Sequence, residues 1–249
     1  MITIKQDWEF NVLGIYNYYK SGRFDSLFSF IKENHNKIDG DIVEAGVFRG
    51  NSLIAIAMYL KELGSKKKVY GFDSFAGFPP VYHLKDDISY YENMASEGII
   101  NMDHISAVRR NLSWKKALTT KDLDKEISSS GSFEDTSLEL LRKKIELADL
   151  DNIVLVDGIF SETMSSSTGI EKIMALVVDC DLYQSYLDTF EFCWPLISKG
   201  GFIHLDEYYS LKFPGARLAT DEFFQDKKVK LHMSEIKPGD FERWYAIKG

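Results

Sequence analysis

Residues 41–52 read Asp41-Ile42-Val43-Glu44-Ala45-Gly46-Val47-Phe48-Arg49-Gly50-Asn51-Ser52. Ile42, Val43, Ala45 and Val47 form a short, nearly continuous apolar run, which is the pattern of a strand buried on both faces. Gly46 and Gly50 then permit a sharp turn, and Asn51-Ser52 opens an apolar helix expected to reach residue 63. Free amides at such a helix start attract negative charge, and a glycine lets a ligand lie against the backbone. The spacing is not G-x-G-x-x-G, because Phe48 stands where a second glycine would and leaves less room for a pyrophosphate. Taken alone, the motif is explained equally well as a plain strand-to-helix turn.

The rhythm continues outward from this stretch. Strands are expected at residues 68–73, 152–156, 174–179 and 201–205, and helices at 137–147, 183–197 and 215–225. Alternating strands and helices of these lengths predict an α/β fold, a mostly parallel sheet with helices on both faces. Two further strand-like runs, 229–236 and 241–247, are separated by Lys237-Pro238-Gly239-Asp240, a turn signal, so they should pair as a C-terminal antiparallel hairpin. Upstream, residues 7–37 read as two short helices hinged near Ser21-Gly22, with Phe10, Leu13, Ile15, Tyr18, Phe24, Leu27, Phe28 and Ile31 as their buried set. Residues 1–39 thus form an N-terminal helical cap. Residues 78–135 break the rhythm with Pro79-Pro80, a Tyr82/His83/Tyr90/Tyr91 cluster and the polar run Ser128-Ser129-Ser130-Gly131-Ser132. An insert of this length suggests a lid on the substrate side. The whole of 1–249 is read as one domain.

Composition narrows the partners. With 30 Lys+Arg against 38 Asp+Glu the net charge is -8, which argues against a chain built to clamp nucleic acid. Hydrophobic residues at 45% and charged residues at 27% are an ordinary globular mixture. No run approaches the roughly 18 apolar residues of a membrane span, and the first residues lack a secretory pattern. The chain reads as soluble and cytoplasmic, with Cys180 and Cys193 reduced; a homo-oligomer is left open.

Three acidic features could carry chemistry. Asp73, with Ser74 after it, ends the second strand about 20 residues beyond the glycine motif, where a carboxylate can accept ribose hydroxyls. Asp179 and Asp181 follow the 174–179 strand, and Asp206-Glu207 follows the 201–205 strand, so four carboxylates converge at the carboxyl ends of adjacent strands. Such a group is self-repelling unless a cation sits between its members, and oxygen ligands suit Mg²⁺. The alternatives are a capping role for Asp181 and a turn role for Glu207. His204 reads as a satisfied core or edge histidine. A nicotinamide-dependent oxidoreductase would share the nucleoside motifs, but the glycine spacing and the hairpin speak against it. A non-catalytic cofactor-binding homologue would lack the acidic cluster.

Six blocks in order carry a resemblance: residues 43–50, 72–79, 158–163, 179–183, 206–208 and 214–217. Together they resemble the macrocin O-methyltransferase (TylF-type) family from about residue 40 onward. The resemblance implies a class I methyltransferase, Rossmann-like fold with a seven-stranded sheet, and S-adenosylmethionine as methyl donor. It also implies Mg²⁺ dependence and O-methylation of a sugar hydroxyl on a glycan or glycosylated natural product. By position, Asp179, Asp206 and Glu207 would hold the metal and Asp181 would be the catalytic base. Glu44 and Gly46 would line the methionine end of the cofactor, Asp73 with Ser74 the ribose, and Asp157 and Gly158 the adenine; Asp179 also borders the cofactor. The family pattern usually has Asp where this chain has Glu207.

Overall fold

The computed structural model describes residues 2, 4–79, 82–119, 133–165, 168–236 and 239–249. Seven strands form one sheet in the order β3-β2-β1-β4-β5-β7-β6. The parallel part comprises β1 (Asp41–Ala45), β2 (Val69–Asp73), β3 (Ile153–Asp157), β4 (Ile173–Val178) and β5 (Ile197–Leu205). The expected hairpin closes one edge: β7 (Trp244–Ile247) runs antiparallel to β5, and β6 (Leu231–Met233) runs antiparallel to β7. Both hairpin strands are shorter than the sequence runs suggested, and Lys237-Pro238 of their turn lies outside the described residues.

Alternate side chains of the central strands enter two different cores. Ile42, Ala175 and Val177 face one cluster with α2 (Asp25–Asn34) and α3 (Asn51–Glu62), whereas Val43, Leu176 and Val178 face the other with α8 (Tyr183–Cys193) and α9 (Pro214–Phe224). Every residue of β4 is buried. Each such aliphatic side chain stabilises the fold by roughly 1.5–3 kcal/mol through burial, so the middle of the sheet is a fixed platform for whatever its strand ends carry.

The N-terminal cap packs on the first core. Its helices are α1 (Asp7–Leu13) and α2, and Phe10, Ile15, Tyr18, Phe24, Leu27, Phe28 and Ile31 are buried as expected, while Leu13 is half-buried. The insert is more ordered than its sequence suggested. It holds α4 (Tyr90–Ser96) and α5 (Met102–Leu118), which build a small core of their own from Tyr91, Met94, Ile100, Ile105 and Val108. α6 (Leu138–Leu147), capped by Ser137, and the short α7 (Phe160–Thr163) complete the helices; the Ser128–Ser132 run lies outside the described residues. No described helix is long and apolar enough to cross a membrane.

Candidate active site

A cavity of about 630 Å³ opens at the carboxyl ends of β1, β2, β4 and β5, where the strand order changes direction between β1 and β4. Open α/β sheets bind ligands at this place. Gly46, Asp73, Ser74 and Gly158 line it on one side, and Asp179, Asp181, Asp206 and Glu207 on the other. Glu44 and Asp157 do not line it. Glu44 lies fully buried beneath the floor, accepting a hydrogen bond from Ser52, and burial pushes its pKa up to about 8. Asp157 ends β3 with its side chain exposed.

Gly46 shows why the turn needs glycine. Its φ is +89°, and a Cβ there would overlap the Asp179 backbone carbonyl of the neighbouring strand. Beside it, the Asp73 carboxylate accepts backbone N–H bonds from Val47 and Phe48 at 2.8 Å each and from Phe75 at 2.7 Å. A carboxylate offers about four acceptor positions, so three are used in shaping the loop and about one remains for a ligand. The expected ribose contact of Asp73 therefore has about one acceptor position to work with.

The acidic side is tighter. One carboxylate oxygen from each of Asp179, Asp181 and Glu207 lies within 4.8 Å of the others. Burial and Asp206 push Asp179 well above the usual carboxylate range, burial and Glu207 do the same to Asp181, and burial and Asp206 raise Glu207. Like charges drawn together out of water favour either protons or a bound cation. An all-oxygen donor set of this kind fits Mg²⁺. The Asp181 backbone has φ +63°, a left-handed conformation that is uncommon for a residue with a side chain.

Asp206 faces a different set of partners. His204, the penultimate residue of β5, stands two residues earlier, and its Nε2 lies 3.2 Å from Asp206. Arg23 lies 3.5 Å away and Arg243 3.9 Å. Burial alone would raise Asp206, but Arg23, His204 and Arg243 together hold it below the usual range. The trio that converges therefore contains Asp181 where the sequence reading had Asp206. His204 is buried, as expected of a core histidine.

Arg23 was not anticipated. Its guanidinium bonds to Asp179 and lies over the Phe24 ring at 4.4 Å, so the N-terminal cap places a cation among the acids. The available signal was its isolation: it is the only arginine before residue 49. Also missed were Lys212 and the Phe78, Phe133 and Phe213 wall, with ring centroids 5.1–6.5 Å apart. The loop carrying Glu207 and Lys212 is held by the insert. The Ser210 carbonyl accepts bonds from Tyr91 Oη at 2.8 Å and His104 Nε2 at 2.7 Å.

The sheet order, the terminal hairpin and the cavity at the strand ends define the class I methyltransferase fold. Solved structures agree: the O-methyltransferase NovP superposes with a TM-score of 0.61 at 22% identity, covering 89% of this chain and 79% of that one. The calicheamicin methyltransferase CalS11 does so with 0.62 at 19%, covering 91% and 77%. Within that class the chain belongs to the macrocin O-methyltransferase (TylF) family, whose profile matches residues 16–152 and 115–240. It is 26% identical over 191 residues to demethyldecarbamoylnovobiocin O-methyltransferase of Streptomyces niveus, covering 76% of this chain and 59% of that one. It is 27% identical over 203 residues to mycinamicin III 3''-O-methyltransferase of Micromonospora griseorubida, covering 80% and 66%. The chain thus spans about three fifths to two thirds of the length of these two relatives.

Proposed function

We propose that this chain is an S-adenosylmethionine-dependent O-methyltransferase that methylates a sugar hydroxyl on a glycosylated natural product or related glycan, assisted by Mg²⁺. The observation that carries this reading is the convergence of Asp179, Asp181 and Glu207 in the same cavity as the Gly46 turn and Asp73. The names of the curated relatives support the substrate class, since they describe O-methylation of demethyldecarbamoylnovobiocin, of mycinamicin III and of a rhamnosyl-bearing tetracenomycin. The two free, buried cysteines suit a reducing compartment, and we place the protein in the cytoplasm. Residues 1–249 act as one catalytic unit, with the cap and the insert flanking the cavity.

Bound here, a divalent cation would polarise the acceptor hydroxyl and S-adenosylmethionine would supply the methyl group. The residues of the chain do the remaining work. Asp179, Asp181 and Glu207 offer the cation ligands. Asp181 gives one oxygen to that set and takes the hydroxyl proton on the other. Gly46 lets the methionine end of the cofactor lie against the backbone, and Asp73 takes one ribose hydroxyl with its remaining acceptor position. The phenylalanine wall keeps water away and fixes the approach of the acceptor, and such positioning supplies much of the acceleration.

A screen of deoxysugar-bearing acceptors with isotopically labelled S-adenosylmethionine tests the reading. Methyl transfer should require added Mg²⁺ and stop with EDTA. Asp181→Asn should keep its affinity for S-adenosylhomocysteine while losing on the order of 10²-fold or more in kcat. Full activity in that variant would remove Asp181 from the mechanism, and binding of NAD in place of S-adenosylhomocysteine would overturn the cofactor.

A further inference from the structure

We infer that Arg23, on the N-terminal cap, binds the carboxylate at the amino-acid end of the methyl donor. The inference rests on reading the cavity as an S-adenosylmethionine site. The methionine end must lie over Gly46, between β1 and β4, yet Asp73, Asp179, Asp181, Asp206 and Glu207 surround that ground. A ligand carboxylate over Gly46 lies beside the acidic residues that follow β4, so a fixed cation next to Asp179 favours its binding.

Among the described residues, three cationic side chains line the cavity: Arg23, Arg49 and Lys212. Arg49 is committed to Asp135, through its side chain and its carbonyl, and is about half exposed. Lys212 belongs to the β5–α9 loop and acts on Asp181 and Glu207, at the acceptor side. Arg23 alone stands beside Asp179, whose own carbonyl abuts Gly46. Its side chain is 34% exposed although it contacts two buried or half-buried carboxylates.

The geometry suits the task. A guanidinium carries five N–H donors in a rigid fork. Asp179 and Asp206 hold one edge, and Phe24 supports the face, so the orientation is set before any ligand arrives. Arg23 lines the cavity and two carboxylates cannot use all five of its N–H groups, so the guanidinium keeps donors for a ligand carboxylate; charge-assisted Arg–carboxylate bonds are among the stronger ones available. The cap, in this view, completes the cofactor site from 156 residues away in sequence.

The test compares two nucleoside ligands by calorimetry. S-adenosylhomocysteine carries the amino-acid carboxylate, and 5'-methylthioadenosine lacks it. Arg23→Gln should weaken S-adenosylhomocysteine by about 10- to 100-fold and change 5'-methylthioadenosine by less than about twofold, while Arg23→Lys, which keeps the charge beside Asp179 and Asp206, should fall between wild type and Gln. Unchanged S-adenosylhomocysteine affinity in Arg23→Gln overturns the assignment, and so does an equal loss for both ligands, which would mark general damage to the pocket. Wild-type protein that binds neither ligand overturns the cofactor reading itself, and the Arg23 role with it.

Discussion

The wall of the cavity under Gly46 and Asp73 is built from neighbours, whereas the wall from Glu207 to Phe213 is held from far along the chain. On the first wall β1 and β2 lie side by side, and Asp73 reaches back only 25 or 26 residues to bind Phe48 and Val47. On the second, Tyr91 and His104 of the insert grip the Ser210 carbonyl across 119 and 106 residues. Asp86, also of the insert, accepts the Tyr183 amide at the start of α8 across 97 residues. The local wall cannot change without changing the sheet. The remote wall depends on the insert, so under the proposed function one fold could keep its cofactor site while the insert sets the acceptor.

The largest expected effect strikes the local wall. Gly46→Ala puts a Cβ into the Asp179 backbone at a positive φ, and should cost about 3 kcal/mol of stability and abolish S-adenosylhomocysteine binding, read by urea unfolding and calorimetry. Near-normal binding would show that this wall is not the fixed one. A second effect lies in pH. Burial lifts Asp86 from 3.8 to about 6, against the pull of the Tyr183 amide. A raised carboxyl contributes stability that is complete below its unfolded pKa and is lost as pH rises through the folded one. Between about pH 4 and pH 7 wild type should therefore lose on the order of 2 kcal/mol relative to Asp86→Asn; a difference between the two that stays flat with pH sinks the assignment. The smallest effect is Tyr91→Phe, which removes one donor to Ser210 and should cost about 1 kcal/mol. It should raise the acceptor KM severalfold and leave the S-adenosylhomocysteine Kd alone. If cofactor affinity falls in step, the two walls are coupled and the contrast fails.

The same division explains what the sequence disclosed. β1, β2, β4 and the second half of β5 announce themselves as apolar runs ending at Gly46, Asp73, Asp179 and Asp206, because strands buried on both faces are mostly apolar. The helices of the insert gave no such signal. α5 buries only His104, Ile105 and Val108 and leaves Met102, Trp114 and Leu118 exposed, so no apolar stripe repeats along it. It is anchored by a histidine and a tyrosine, whose contacts only the fold reveals. Arg23 was hidden for a related reason: its partners lie 156 and 183 residues away, and charge in a cap helix region ordinarily means a solvated face. Asp206 was placed correctly at a strand end, yet its partner depended on the period-two neighbour His204 and on two arginines from opposite ends of the chain.

The left-handed backbone at Asp181 limits how this position can vary, quite apart from chemistry. Only glycine, asparagine and aspartate enter that conformation at little cost. If Asp181 is the base proposed above, a library of all residues at 181 would lose its β-branched members to backbone strain and its asparagine to missing proton transfer, two failures that look alike in an activity screen. Under that proposal a bulkier base at this point would carry the cost of the left-handed backbone, and aspartate meets both the turn and the proposed proton transfer.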